Sequence, residues 1–211
     1  MRNSITPLPG GRLRKEYRGT LAWKREITLL RQMAGSGLCP ELLDAPLREA
    51  EMTECPGVPL GECIRTASRQ EAREMMAALA AWTDAFEREY HRRTGQTAVL
   101  EDLSPGNFLW DAASRKITGL DFEFWHTGSP AENRGGLLCM AERLKAAEIT
   151  GEELTGELYR QFRGGSDRAE LEHRAARARQ QTALRQRAMP LIRQTAGVIL
   201  AGGQSRRMGS P

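Results

Sequence analysis

The chain has 211 residues, of which 27% are charged and 40% hydrophobic, with a formal net charge of +4. That composition fits one medium folded domain or two small ones and excludes collagen-like, wholly disordered and membrane-embedded chains. No run of about 18 apolar residues reads as a bilayer span, and the opening MRNSITPLPGGRLRKEYRG lacks the apolar centre of a secretory signal. The four cysteines, Cys39, Cys55, Cys63 and Cys139, are scattered, with no CxxC pair and no histidine at ligand spacing. They read as buried small side chains of a reduced, cytoplasmic protein, with neither a disulfide framework nor a zinc site. Charge is unevenly spread: residues 163–211 carry ten Arg and Lys against three Asp and Glu, and residues 1–162 carry 21 against 24. The arginines of the basic segment lie among Ala, Gln and Glu without interleaved aromatics, so a solvated helix face is favoured over a nucleic-acid surface.

In chain order, ITPLPGGRLRKEYR predicts a β-like start with a turn at Pro9-Gly10-Gly11. A helix is predicted over 21–34, with Trp23, Ile27 and Leu30 on one face, Leu29 and Met33 widening it, and Gly35 and Gly37 ending it before Pro40. Residues 46–60 predict a strand running into a Pro/Gly turn. The strongest helix signal covers 69–93, where Met75, Leu79, Trp82, Phe86 and Tyr90 make a narrow apolar stripe suited to core packing. Next come VLEDLSPGNFLWD, a turn at Ala112–Arg115 and KITGLDFEFW, two apolar runs of one hairpin with acids at both ends. Helices are predicted near 135–147, 152–163 and 168–189, the last stopped by Pro190, before AGVILAGGQSRRMGSP changes character to an apolar strand feeding a Gly-rich loop. There is no internal repeat and no low-complexity segment.

Two constellations carry chemistry. Phosphoryl transfer asks a protein mainly to hold Mg2+ against phosphates and to set a carboxylate beside the attacking hydroxyl, and Mg2+ takes oxygen ligands. An Asp and an Asn five residues apart on one loop can divide those jobs, with a second Asp across a short hairpin completing the metal site. Asp102, Asn107 and Asp121 have that spacing, and the strands 108–110 and 117–120 set their separation. The second constellation is the strand 198–200 entering Ala-Gly-Gly-x-Ser-x-Arg-Met-Gly, a pattern that brings backbone N–H groups and basic side chains to a phosphate.

LEDLSPGNFLWD followed by ITGLDFE resembles the signature of the aminoglycoside phosphotransferase and choline kinase group, of protein-kinase-like fold, whose pattern runs H-G-D-L-H-P-G-N-I-L and then I-D-F-E. The resemblance extends over about residues 10–165 and is specific at 100–123. It implies Asp102 as the catalytic Asp, and Asn107 and Asp121 as ligands of Mg2+. REITLLRQM resembles the helix that carries the ion-pair Glu, here Glu26. EMTECPGVPLGE resembles the hinge, whose backbone would bind adenine near Glu54 and Cys55. Lys15 is the candidate phosphate-binding Lys that pairs with Glu26, and Lys24 is its rival. The departures are Leu100 where the family has His, Glu101 where it has Gly, an N-terminal lobe well short of the family's, and no full Gly-rich loop, of which Gly10-Gly11 is at most a remnant.

The resemblance implies an α+β fold with a reduced kinase-like N-lobe over 1–55, a helical C-lobe over 56–165 and a basic helical linker over 166–195. Its activity would be ATP- and Mg2+-dependent phosphorylation of a small-molecule hydroxyl. Glu101 and Glu123 hint at a cationic or polyhydroxyl acceptor, and two solvated surface acids would explain them equally well. Residues 197–211 resemble the opening motif of molybdenum cofactor guanylyltransferases, with cytidylyltransferases second. That resemblance implies a GTP-binding role for Leu200, Ala201, Gly202, Gly203 and Arg207 in the start of a Rossmann-like nucleotidyltransferase domain, incomplete within 196–211. The expectation is a fusion cut short, unable to transfer a nucleotide unaided. Two alternatives stay open: a non-catalytic accessory module of such a nucleotidyltransferase, and a tail that matches by chance.

Overall fold

The first hairpin joins β1 (Ser4–Leu8) to β2 (Arg12–Glu16) through a turn at which Gly10 and Gly11 both take left-handed backbone angles. Side chains alternate along β2, so Leu13 and Lys15 turn inward while Arg14 turns outward and meets Glu51 on its partner strand at 2.6 Å. That partner is β4 (Glu49–Thr53), itself flanked by β3 (Leu42–Asp44), giving a four-stranded antiparallel sheet in the order β1-β2-β4-β3. Helix α1 (Thr20–Gln32) lies against it and buries Glu26, Ile27, Leu29 and Leu30. The Trp23 indole donates to the Glu49 carbonyl at 2.9 Å, which fixes helix to sheet.

Beyond a connecting segment at 54–57, β5 (Val58–Pro59) leads into α2 (Leu60–Thr66) and the long α3 (Arg69–Thr94). Ser68 and Glu71 form a capping box at the start of α3, and Gly95 closes it in a left-handed turn, so local chemistry sets both its ends. Strand β6 (Ala98–Leu100) is followed by a 3-10 turn at Pro105–Asn107 and by the hairpin β7 (Phe108–Asp111) and β8 (Lys116–Gly119). β9 (Trp125–Thr127) returns to pair with β6, with Leu100 opposite Trp125. Helices α4 (Pro130–Ala141), α5 (Gly151–Phe162) and α6 (168–184) complete the described structure. The computed structural model describes residues 3–162 and 167–184. No helix among them is long and apolar enough to cross a membrane.

The stripe expected on α3 is the spine of the core. Trp82 stacks on Phe86 at 5.1 Å and meets Phe108 edge-on at 5.2 Å, Phe86 stacks on Phe122 at 5.9 Å, and Tyr90 meets Trp125 at 5.9 Å. Phe108 follows Asn107 and Phe122 follows Asp121, so the two candidate metal ligands sit on backbone anchored by aromatic packing.

Several details differ from expectation. The helix expected at 135–147 starts at Pro130 and ends at Ala141, because Ser129 and Glu132 form a capping box. α2 and the β6–β9 pair were not predicted; each element has seven residues or fewer, too short for periodicity to register. Cys39 and Cys139 are buried but Cys55 and Cys63 only partly so. Residues 168–184 present the expected solvated basic face, with Arg168, Arg177 and Arg179 exposed, and on the opposite face bury Leu171 and Ala175 in the core.

One buried polar network ties these parts together. Asn133 on α4 accepts the Leu100 N–H at 2.8 Å and donates to the Ala98 carbonyl and to Glu87 of α3. Burial pushes the Glu87 carboxyl up to about 7, with Arg134 and Asn133 opposing the shift only in part. A carboxyl raised from 4.5 to about 7 on folding leaves the protein most stable where Glu87 is protonated in both states. That contribution is complete below its unfolded value and is lost as pH rises through about 7. Glu87→Gln is therefore expected to remove a fall in stability of up to about 3 kcal/mol between pH 5 and 8, read as a flattened difference between urea-unfolding midpoints of variant and parent across that range.

Candidate active site

Lys15 is buried on the inner face of β2, 5% exposed, yet its ammonium meets three carboxylates. It lies 2.6 Å from Glu26 Oε2 on α1, 2.7 Å from Asp121 Oδ1 and 2.8 Å from Glu123 Oε1. The other Glu26 oxygen accepts the Phe122 N–H at 3.3 Å, so the α1 carboxylate holds the lysine and the backbone beside Asp121 together. Lys24 is exposed on the outer side of α1. Burial alone would depress the Lys15 ammonium, but the charges of Glu26 and Asp121 and the hydrogen bonds of Asp121 and Glu123 outweigh it and hold the group above its ordinary value. Burial raises Glu26 and Glu123, with the Lys15 charge working against the rise in both.

The hairpin expected to carry the remaining groups does bring them together. Asn107 Nδ2 donates to the Asp102 carbonyl at 3.0 Å, and the Leu120 N–H donates to the Asn107 carbonyl at 2.8 Å. Asp102 and Asn107 thus share one loop, with Asp121 one residue beyond that cross-hairpin bond. Asp121 has a left-handed backbone, φ 59, an uncommon conformation for a residue with a β-carbon.

The residues present fit Mg2+. Glu26, Asp121 and Glu123 offer carboxylate oxygens within 4.8 Å of one another, a hard donor set. Lys15 occupies one Asp121 oxygen and leaves Oδ2, and the amide contact of Asn107 leaves its Oδ1 for a cation.

The residue that sequence reading misassigned is Glu123. It is 7% exposed and bound to Lys15, so it is neither a surface acid nor an acceptor ligand; its only signal was its place in the D-F-E triplet. Glu101 behaves differently, pairing with His126 Nδ1 at 3.1 Å, with His126 brought there by the β6–β9 register that sets Val99 opposite it. The Gly10-Gly11 turn lies four residues of strand, about 13 Å, from Lys15. The Gly11 carbonyl accepts the Glu54 N–H at 2.8 Å. That donor is therefore engaged within the protein. Leu200, Ala201, Gly202, Gly203 and Arg207 lie outside the described residues.

A cavity of about 560 Å3 adjoins Asp102, walled by the 99–105 segment, α4 and α6. Two glycines of α4 build it. At Gly136 a β-carbon would stand 2.4 Å from a Leu103 methyl, and at Gly135 it would stand 2.4 Å from Arg174 Cβ and 2.8 Å from that residue's backbone.

The chain matches no protein-family model and no curated protein. Solved structures do resemble it. The streptomycin–ATP ternary complex of APH(2'')-IIa superposes with TM-score 0.62 at 11% identity, covering 94% of this chain and 89% of that one. The ADP-bound aminoglycoside phosphotransferase APH(2'')-Ib gives 0.56 at 11% identity, covering 82% and 81%. The ethanolamine kinase of Plasmodium vivax gives 0.56 at 9%, covering 84% and 72%. At such identities these likenesses establish a protein-kinase-like fold and no more.

Two variants test the geometry. Lys15→Met strands three carboxylates and is expected to cost about 3–5 kcal/mol, with Mg2+ raising the melting temperature of the variant more than that of the parent. Gly135→Ala meets backbone that cannot rotate away and is expected to lose about 1–2 kcal/mol net of its helix-propensity gain. Gly136→Ala meets only a rotatable leucine methyl and is expected to be near neutral, the two being compared by thermal melts.

Proposed function

We propose that the chain is an ATP- and Mg2+-dependent phosphotransferase that acts on a hydroxyl of a small molecule. The observation that carries this reading is the ion cluster of Lys15 with Glu26, Asp121 and Glu123, tied through one hairpin to Asn107 and Asp102. The phosphotransferase fold of the neighbours supports it, as do the nucleotides and small-molecule substrates in their names.

In this reading Lys15, oriented by Glu26, holds phosphate oxygens of ATP. Asn107 and Asp121 hold Mg2+, with Glu123 as a further oxygen donor, and the ion's chemistry is to neutralise charge on the phosphates. The Glu54 carbonyl and the Cys55 amide meet adenine. Asp102 orients the acceptor hydroxyl and takes its proton as the hydroxyl oxygen bonds to the γ-phosphorus. The bond from that phosphorus to the bridging oxygen breaks, and its electron pair leaves on ADP. The products are a phosphate ester, ADP and a proton. A small acceptor is favoured over a protein because no activation-loop or A-P-E pattern follows Asp121. The further proposal, that this module precedes a guanylyltransferase-like domain using GTP, rests on the 197–211 motif alone and is tested by reading the coding sequence past codon 211.

Calorimetry with ATP tests the phosphotransferase reading. Binding is expected to require Mg2+ and to be lost in Asp121→Asn, whereas Asp102→Asn should keep binding and lose at least about a hundredfold in phosphate transfer. Absence of binding at millimolar ATP would sink the reading, and transfer unchanged by Asp102→Asn would leave a nucleotide-binding accessory module.

A further inference from the structure

The cavity beside Asp102 is lined by charge of both signs. The acids are Asp102, Glu101 with its His126 partner, and Glu132. The arginines are Arg143, just past α4, and Arg174 and Arg177, three residues apart on one face of α6. Arg174 is partly neutralised, at 3.8 Å from both Glu132 and Glu170. Arg143 and Arg177 have no carboxylate within salt-bridge distance among the described residues, whereas Arg179, two residues beyond Arg177 and outside the cavity lining, is paired with Glu142. Of the three arginines that line the cavity, two thus have no acid of their own.

α6 seats directly on Gly135, whose β-carbon would meet Arg174 and the Ala175 backbone, and so Arg174 and Arg177 line the cavity. A polycation entering here would meet three guanidinium groups, two of them without an acid partner, while Glu101 and Glu132 are already paired. A guanidinium pair instead recognises a phosphate or carboxylate, in a geometry that suits both oxyanions.

We propose that the acceptor of this site is an anionic hydroxyl compound, its phosphate or carboxylate held by Arg143 and Arg177 and its hydroxyl presented to Asp102. The proposal rests on the phosphotransferase reading for the identity of the hydroxyl end, but the arginine end binds independently of nucleotide. A volume of about 560 Å3 holds a sugar-sized molecule.

A matched hexose series tests it: glucose, glucose 6-phosphate, glucuronate and glucosamine, titrated calorimetrically into the full chain without nucleotide. At least one of the two anions is expected to bind about tenfold or more tightly than glucose, with glucosamine no tighter than glucose. A stronger response to glucose 6-phosphate identifies the phosphate, and a stronger response to glucuronate the carboxylate. The preference should vanish in the Arg143→Gln, Arg177→Gln double variant and survive in Arg65→Gln, an exposed arginine outside the cavity, with circular dichroism verifying the fold of each. Equal binding of all four sugars overturns the proposal. So does preference for glucosamine, a preference that survives the double variant, or failure of both anions to bind at millimolar concentration. Failure of Mg2+–ATP to bind while the anion preference stands would instead overturn the phosphotransferase reading alone.

Discussion

A lysine ammonium in a dry setting, facing three carboxylates, is the contact on which the rest of the site depends. Desolvation of Lys15, Glu26 and Glu123 is costly, and only the short contacts among them compensate for it. Those contacts cross-link β2, α1 and the segment after β8. The cluster carries an excess of negative charge around one ammonium, so it favours the arrival of a second cation. In the proposed reaction, a phosphate oxygen competing for Lys15 would in turn release Asp121 and Glu123 toward that cation.

The apolar side of the molecule holds that cluster in place. The aromatic rings of α3 grip Phe108 and Phe122, the neighbours of Asn107 and Asp121, so two polar residues inherit rigidity from packing in which they take no part. Asn133 performs the same service for the strand before Asp102, through backbone atoms of Ala98 and Leu100. Hydrogen bonding to backbone holds a strand regardless of its side chains, so this contact does not depend on the identity of Leu100 or Glu101.

The surroundings of Lys15 and of Asp102 differ in how much protein they contain. Beside Lys15 the sheet among the described residues has four strands, and its glycine turn is bonded to the connecting segment at Glu54. Beside Asp102, α4 and α6 pack against each other through a glycine contact and wall a cavity. In the proposed reaction the nucleotide would meet the first and the acceptor the second.

The sequence by itself determined those features whose physics is local. The stripe of α3, the turn at Pro9–Gly11, the ends of α1 and the β7–β8 hairpin follow from periodicity, caps and turn residues, which act within a few positions along the chain. The motif resemblance then singled out Lys15, Glu26, Asp102, Asn107 and Asp121 as a group. Only the tertiary structure decided what meets these residues from far along the chain, because the pattern of apolar positions records which face is buried and not what buries it. Lys15 and Asp121 are 106 residues apart; Glu123, which the sequence left as a surface acid or one facing a ligand, is enclosed against Lys15; the Glu54 amide is spent on Gly11; and the basic helix with its solvated face also walls the cavity beside Asp102, because Gly135 lets its backbone come close.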